Sequence, residues 1–275
     1  MLSDKELKAT INSQKQEIYR QRKELTESIR YASYIQKALL PSSDIFNRLI
    51  PEHFIYFQPK DIVSGDFYWI TKKKSEIIIA VGDSTGHGVP GAFMSILGIS
   101  ILNEIVDRGS YKTAGSILNQ MREGIMKSLG QTGEDYEPKD GIDMSLCILN
   151  KETEKIQFAG AFNPIYIIKE NDLVEIPGDK MQIGIAADEE RAFKTHHLKL
   201  DPCDVVYLFS DGFVDQFGGS EGKKFKYRPF RNLLMSIHKL PLHEQKEKLH
   251  TVFEDWKNGY SQLDDVLILG FRHKC

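Results

Sequence analysis

From about residue 45 onward, short strand-like runs rich in Ile, Phe, Tyr and Trp follow one another, and the helix-like stretches come in adjacent pairs. The first strand-like runs are 53–60, 65–71 and 76–83. The helical stretches are 90–109 and 113–130, then about 228–238 and 241–257 before a last strand at 265–272. Strands at hairpin spacing with helices grouped together predict antiparallel sheets and the α+β class, because a parallel sheet needs a helix between successive strands.

The first 41 residues follow a different pattern. They contain no glycine, and Pro41 is predicted to end a long helix. Apolar residues recur at heptad spacing along it, at Leu7, Ile11, Ile18, Leu25, Ala32, Ile35 and Leu39. We call these residues the seam; Gln14, Gln21 and Ser28 occupy intervening core positions. The pattern favours a helical linker over 1–41 that forms a coiled-coil homodimer, followed by one domain over 45–275. A single helix docked on that domain is the alternative.

Composition narrows the class of protein. The 36 Lys and Arg residues against 39 Asp and Glu give a net charge of −3, which argues against a nucleic-acid-binding protein. Three cysteines without C-x-x-C spacing predict neither a disulfide framework nor a thiolate zinc site. No apolar run approaches the roughly 18 residues of a membrane span, and the N-terminus lacks the apolar core of a signal peptide. The expected location is therefore the cytoplasm, without a membrane partner.

Aspartates stand at the ends of three strongly apolar strands: Asp83, Asp211 and the pair Asp264-Asp265. One such aspartate is most often a turn former. Three of them indicate a shared site, because an unpaired carboxylate is costly to bury and converging carboxylates are what Mg²⁺ or Mn²⁺ requires. Two such ions about 3.5–4 Å apart can activate water and hold a phosphoryl group.

Six segments in this order resemble the metal-dependent PP2C-type (PPM) serine/threonine phosphatases, in particular their bacterial SpoIIE/RsbU-like branch. They are SGDFYW, VGDSTGHGVPGAFMS, DGIDMSLCILN, FAGAFNPIYII, YLFSDGFVDQFGG and LDDVLIL. The resemblance covers nearly all of 45–275, and SIRYASYIQKALLP before it is similar to the helical linker that joins such domains to upstream sensors. It implies two packed antiparallel sheets flanked by helices, an α-β-β-α sandwich.

The resemblance also implies roles for individual residues. Asp83 matches the aspartate that bridges two Mn²⁺ or Mg²⁺ ions, with the carbonyl of Ser84 as a main-chain ligand. Asp211 matches the second carboxylate ligand, and Asp264 the third, with Asp265 open as a substitute. Asp66 matches the acid that holds metal-bound water. The implied reaction is attack of a metal-bound hydroxide on phosphoserine or phosphothreonine of a regulatory partner protein. By resemblance this partner is an anti-sigma-factor antagonist or another STAS-type regulator.

Other residues keep two interpretations. His87 is either a general acid or a loop-shaping residue, and Asp143 either supports the site or caps a strand. The basic residues of 223–228 form either a solvated loop or a docking surface for an acidic phosphoprotein. For the whole domain, the alternative to an enzyme is a catalytically silent PPM-like module that binds a phosphoprotein. A dinucleotide-binding domain is disfavoured, because the G-x-G-x-x-G at 86–91 opens a helix that leads into another helix.

Overall fold

Two antiparallel sheets packed face to face, with helices on both outer faces, form the architecture of this computed structural model. The structure describes residues 4–132, 139–185 and 191–274. The helices are α1 (Asp4–Leu39), α2 (Ser43–Leu49), α3 (Gly88–Arg108), α4 (Ala114–Leu129), α5 (Gly212–Asp215), α6 (Tyr227–Ile237) and α7 (Leu242–Lys257). The strands are β1 (His53–Gln58), β2 (Phe67–Lys73), β3 (Glu76–Ser84), β4 (Gly141–Asn150), β5 (Lys155–Ala161), β6 (Ile165–Lys169), β7 (Asp172–Ile176), β8 (Ile183–Gly184), β9 (His196–Lys199), β10 (Val205–Phe209), β11 (Phe217–Gly218), β12 (Lys223–Lys224) and β13 (Val266–Arg272).

The strand order explains how distant parts of the chain meet. One sheet has the order β1-β13-β10-β6-β7, and the other has β2-β3-β4-β5-β9 with β8 paired to β4. A separate hairpin is formed by β11 and β12. The last strand therefore lies between the first strand and β10 and brings the C-terminal aspartate pair next to residues near position 65.

Three apolar clusters fill the layers of the sandwich. The first packs α3 and α4 on the outer face of the β2-β3-β4-β5-β9 sheet, and it includes Leu102, Ile125 and Leu146. The second lies between the sheets, and the third packs α6 and α7 on the outer face of the other sheet. This arrangement confirms the predicted α-β-β-α sandwich.

Glycines end both helices of the first pair as the sequence predicts. Gly109 and Gly130 are the C-caps of α3 and α4, and both have φ of 66°, where glycine meets no Cβ clash. The segment 131–141 is polar and has no apolar periodicity, so the sequence predicts a loop there. Most of this segment falls outside the described residues. The sequence did not indicate α2, β7, β8 or the β11–β12 hairpin, because none of these segments has more than two consecutive apolar residues.

Helix α3 is the one described helix that is long and apolar enough to cross a membrane by hydropathy. Its buried residues pack between the sheet and α4, so its apolar character is explained by its place in the core.

The C-terminal part of α1 lies on the domain, whereas its large seam residues from Ile11 onward are exposed. Ser33 and Gln36 are buried, whereas Ile18, Leu25 and Ile35 are 51%, 63% and 49% exposed. The docked face is thus a different face from most of the seam. The end of the helix docks on the domain, and pairing of the exposed seam residues with a second copy stays a prediction.

One cysteine departs from the sequence-based expectation. Cys147 is buried and free, but Cys203 is disulfide-bonded. The antiparallel pairing of β10 with β13 brings Cys203 beside the C-terminal residues, and its N–H donates to the carbonyl oxygen of His273 at 2.7 Å. Sequence spacing does not reveal this proximity, since the two segments are about 70 residues apart.

Candidate active site

Polar side chains enter the space between the two sheets at one end of the sandwich. Along β3 every second residue packs between the sheets, and this alternation directs Asp83 into the same space. The alternation of the neighbouring strands directs four more polar residues there: Asp66, Asp143, Ser210 and Asp265. The sequence pattern therefore gathers these groups without any special loop.

Asp66 links the two sheets. It is 2% exposed, and the hydroxyl of Ser210 donates to its Oδ2 at 2.6 Å. The same hydroxyl oxygen accepts the N–H of Leu267 at 3.0 Å. Asp66, directly before β2, is thereby held to β10 and β13 of the opposite sheet.

The two adjacent aspartates before β13 have different environments. Both carboxylate oxygens of Asp265 accept backbone N–H groups, from Lys60 and from Gly65, at 2.7 Å each. Asp264 is half-buried, and its Oδ1 accepts the N–H of Asp265 at 2.9 Å. Among the described residues its Oδ2 accepts no hydrogen bond.

The Gly-His-Gly loop after Asp83 packs tightly against the turn before Asp66. The N–H of Ser84 donates to the carbonyl of Gly65 at 3.3 Å. A Cβ on Gly65 would lie 2.6 Å from the carbonyl oxygen of Gly86, and one on Gly91 would overlap that oxygen. Only glycine permits this approach of the two segments. The hydroxyl of Ser84 is buried and has no hydrogen-bond partner among the described residues.

Asp211 completes the group from the end of β10. It precedes the four-residue helix α5, and its carbonyl accepts the N–H of Asp215 at 2.9 Å. Gly212 lies against the main-chain carbonyl of Asp265, where a Cβ would clash. The close approach of these two turns brings Asp211 and Asp264 to the same end of the sandwich.

Burial and mutual repulsion raise the carboxyl pKa values. Burial raises the pKa of Asp66 and Asp83 well above the usual range, and neighbouring aspartates raise both further. Burial, and then the charge of Asp215, raise the pKa of Asp211 to about 6. Burial together with Asp211 raises the pKa of Asp143 to about 7. The raised pKa values show that the positive charges near the site do not balance the negative charges of these aspartates.

Comparisons with known proteins identify the family of the chain. A family model described as stage II sporulation protein E (SpoIIE) matches residues 73–274. The chain belongs to the SpoIIE family of PP2C-type phosphatases. Among solved structures, the SiaA PP2C domain of Pseudomonas aeruginosa is 30% identical with a TM-score of 0.83, covering 92% of this chain and 98% of that domain.

Two further relatives come from Bacillus subtilis. The PP2C phosphatase domain and regulatory fragment of SpoIIE shares the fold at a TM-score of 0.65 and 17% identity, covering 80% of this chain and 61% of that one. Phosphoserine phosphatase RsbU is 23% identical over 196 residues, covering 70% of this chain and 55% of RsbU. The chain spans about half the length of this curated relative.

The donor atoms of this SpoIIE-family site suit hard divalent cations. Among the described residues, no group of three or more His, Cys, Asp or Glu side chains is arranged to hold a metal ion without further ligands. Mg²⁺ does not require one, because it keeps several waters and binds through one or two carboxylates. Four mutually repelling aspartates and an oxygen-only donor set therefore fit Mg²⁺ or Mn²⁺.

Several other predicted residues lie at the rim or elsewhere. Nδ1 of His87 lies 2.9 Å from the carboxylate of Asp61, and both side chains are about half exposed. Lys224 of the basic segment pairs with Asp215 at 2.7 Å, next to the site.

Sequence reasoning missed the residues that support the site. Ser210 was part of a quoted motif but received no role, although a serine directly before the Asp-Gly turn continues the inward alternation of β10. Gln36 was not singled out either, and its contacts reach positions 28 and 59 residues away. Local patterns do not reveal such contacts.

Proposed function

We propose that this chain is a metal-dependent protein phosphatase that hydrolyses phosphoserine or phosphothreonine on a partner protein. The observation that carries the proposal is the meeting of Asp66, Asp83, Asp211 and Asp264 in one partly buried site, where burial and then the charges of neighbouring aspartates raise the pKa of the first three. Such repulsion is destabilising unless cations bind. Membership of the SpoIIE family and the likeness to phosphoserine phosphatase RsbU support phosphomonoester hydrolysis.

We assign the metal ligands to Asp83, the carbonyl of Ser84, Asp211 and Asp264. Asp264 is preferred over Asp265 because both oxygens of Asp265 already accept backbone N–H groups. Asp265 in this proposal fixes the turn that carries Asp66. Bound Mg²⁺ or Mn²⁺, two ions per site, would activate water and neutralise phosphoryl charge.

Asp66 has the role of orienting water beside these ligands. Its Oδ2 is fixed by Ser210, so the other oxygen is held at a defined position in the site. Burial keeps the carboxyl group from being hydrated in bulk solvent, so it can hold one water in a defined orientation. Asp143, opposite Asp83 in the β3–β4 register, is well placed to support the Asp83 carboxylate.

The partner that the resemblance implies is a phosphorylated regulatory protein of the STAS type, in the cytoplasm. We further propose that the chain is a homodimer through α1, since five seam residues are exposed along one helix: Ile11, Ile18, Leu25, Ile35 and Leu39. Two such seams would cover each other's apolar side chains in a coiled coil.

Two aspartates that flank the same strand provide a matched test. Asp211 follows β10 in the site, whereas Asp204 precedes β10 at the opposite end, is buried, and pairs with Lys169 at 3.0 Å. We expect Asp211→Asn to lose at least about a hundredfold in p-nitrophenyl phosphate hydrolysis with Mn²⁺, whereas Asp204→Asn retains activity.

The measurement is the initial rate with Mn²⁺ and again with excess EDTA, which should abolish activity. Undiminished hydrolysis in EDTA would contradict the metal-dependent mechanism. Mn²⁺ binding by calorimetry without turnover of p-nitrophenyl phosphate or of a phosphoserine protein would instead support the catalytically silent module.

A further inference from the structure

Phe162 is an exposed aromatic residue at the end of the sheet where the aspartates lie. Asp83 pairs with Asp143 across β3 and β4, and Met144 pairs with Ala161 across β4 and β5. Phe162 directly follows Ala161, the last residue of β5, and therefore lies at the end of β5 that is nearest to Asp143. With neighbouring strands about 4.8 Å apart, β5 lies two strand spacings, about 10 Å, from β3 and its Asp83.

The backbone of Phe162 adopts a conformation that its side chain disfavours. Its φ is +53°, in the left-handed region that glycine and asparagine populate readily and bulky residues rarely do. Among the described non-glycine residues with positive φ, Phe162 is the one with an aromatic side chain. Strained positions of this kind concentrate at functional sites.

The surrounding turn holds Phe162 in this conformation. Its N–H donates to the carbonyl of Asp179 at 2.8 Å, and the N–H of Asp179 donates to the carbonyl of Gly160 at 2.8 Å. The Asp179 carboxylate accepts the N–H of Lys194 at 2.8 Å. A Cβ on Gly178 would lie 2.8 Å from the carbonyl oxygen of Asn163, so only glycine fits against the turn. The strain is therefore imposed by a rigid scaffold.

The ring of Phe162 belongs to none of the three apolar clusters of the described residues. Its neighbours Ala161 and Asn163 are buried, whereas Phe162 is 49% exposed. The ring makes no aromatic contact with any described residue. Single exposed apolar residues are common on protein surfaces. An exposed phenylalanine in a left-handed conformation beside the site would, however, be replaced by glycine or asparagine at lower cost if stability alone mattered.

We propose that Phe162 is a substrate-recognition residue whose ring packs against an apolar side chain near the phosphorylated serine of the partner protein. This rests on the proposed phosphatase function. A distance of about 10 Å equals roughly three residues of extended chain, so the contacted side chain lies two or three residues from the phosphoserine. Rigid aromatic anchors of this kind dominate recognition at many protein interfaces.

The test uses the whole 275-residue chain and three substrates. They are p-nitrophenyl phosphate and two phosphoserine peptides that differ only in having leucine or glycine two and three residues to either side of the phosphoserine. We expect wild-type protein to prefer the leucine peptide by about tenfold in kcat/KM. Phe162→Gly should bring that ratio close to one, leave the rates on p-nitrophenyl phosphate and the glycine peptide nearly unchanged, and leave Tm unchanged or raised.

Glu170→Gly is the matched control, because Glu170 is also exposed with φ of 52° but lies at the opposite end of β6. It should keep the leucine preference. Phe162→Asn, which also suits the left-handed region, replaces Phe162→Gly if that variant does not fold. No preference in wild type, a preference kept without the ring, or a parallel loss of Tm and of all three rates would overturn the inference. A wild type inactive on all three substrates would instead refute the proposed phosphatase function, and this inference with it.

Discussion

The side-chain amide of Gln36 on α1 binds both backbone polar groups of Ser64, two residues before Asp66. Its Nε2 donates to the Ser64 carbonyl at 2.5 Å, and its Oε1 accepts the Ser64 N–H at 3.1 Å. Nε2 also donates to the hydroxyl of Ser95 on α3 at 2.9 Å. One buried amide therefore joins the N-terminal helix to two other segments. These are the turn that precedes Asp66 and helix α3, which follows Asp83.

Gln36→Leu should destabilise the turn before Asp66. The substitution leaves the buried N–H and carbonyl of Ser64 without these partners, which costs about 1–3 kcal/mol in free energy of unfolding. We expect a lower Tm and weaker activation by Mn²⁺, read as a higher half-saturating concentration. Gln16→Leu, an exposed amide on the same helix, is the control. Equal behaviour of the two variants would rule out this link.

The two adjacent aspartates should respond differently to the same change. Asp265→Asn replaces one of two accepting oxygens by an NH₂ group, which faces a backbone N–H donor. We therefore expect a loss of about 1–3 kcal/mol in unfolding free energy even in EDTA. Asp264→Asn should leave Tm in EDTA unchanged or higher, because it removes one repelling charge, yet it should abolish the Tm increase that Mn²⁺ causes. Thermal melts with and without Mn²⁺ measure both. The reverse pattern would make Asp265 the ligand.

Stability of the metal-free protein should fall as pH rises from about 5 to 8. The folded pKa of Asp211 is about 6 and that of Asp143 about 7, both above the roughly 4 of an unfolded aspartate. The folded state therefore binds more protons over this window, so stability is greatest below it and is lost as pH rises. Melts in EDTA across this range measure the slope, and Asp143→Asn should flatten it. Saturating Mn²⁺ should reduce the decline, because cations replace the protons. A Tm in EDTA that increases with pH would contradict the assignment.

Replacing Ile18 and Leu25 together with lysine should dissociate the proposed dimer. Each buried seam residue contributes about 1.5–3 kcal/mol, and paired lysines would also repel. Gln16→Lys with Tyr19→Lys introduces the same charges off the seam and is the control. Light scattering gives the mass, and activity on the same samples shows whether pairing affects catalysis. A wild type that is monomeric at micromolar concentration would exclude the dimer, and a monomeric variant with unchanged activity would exclude regulation by pairing.

The sequence by itself determined the layers of the fold and most of the site. Alternation along β3, β4, β10 and β13 decided which side chains face between the sheets, because side chains of a strand alternate between its two faces. The long helices α3, α4, α6 and α7 followed from apolar periodicity and from glycine at the ends of α3 and α4. Asp83 and Asp211 stood out because apolar strands end at both. These are local properties that neighbouring residues suffice to specify.

Only the tertiary structure distinguished Asp264 from Asp265. Two adjacent identical residues have the same local preferences, and the difference comes from the N–H groups of Lys60 and Gly65, about 200 residues earlier in the chain. Two other features likewise depend on segments that meet only after folding. They are the link from Gln36 to Ser64 and the position of Phe162 at the end of β5 nearest to Asp143. Hydrogen bonds and strain at these positions are set by neighbours in space, so no pattern along the chain reports them.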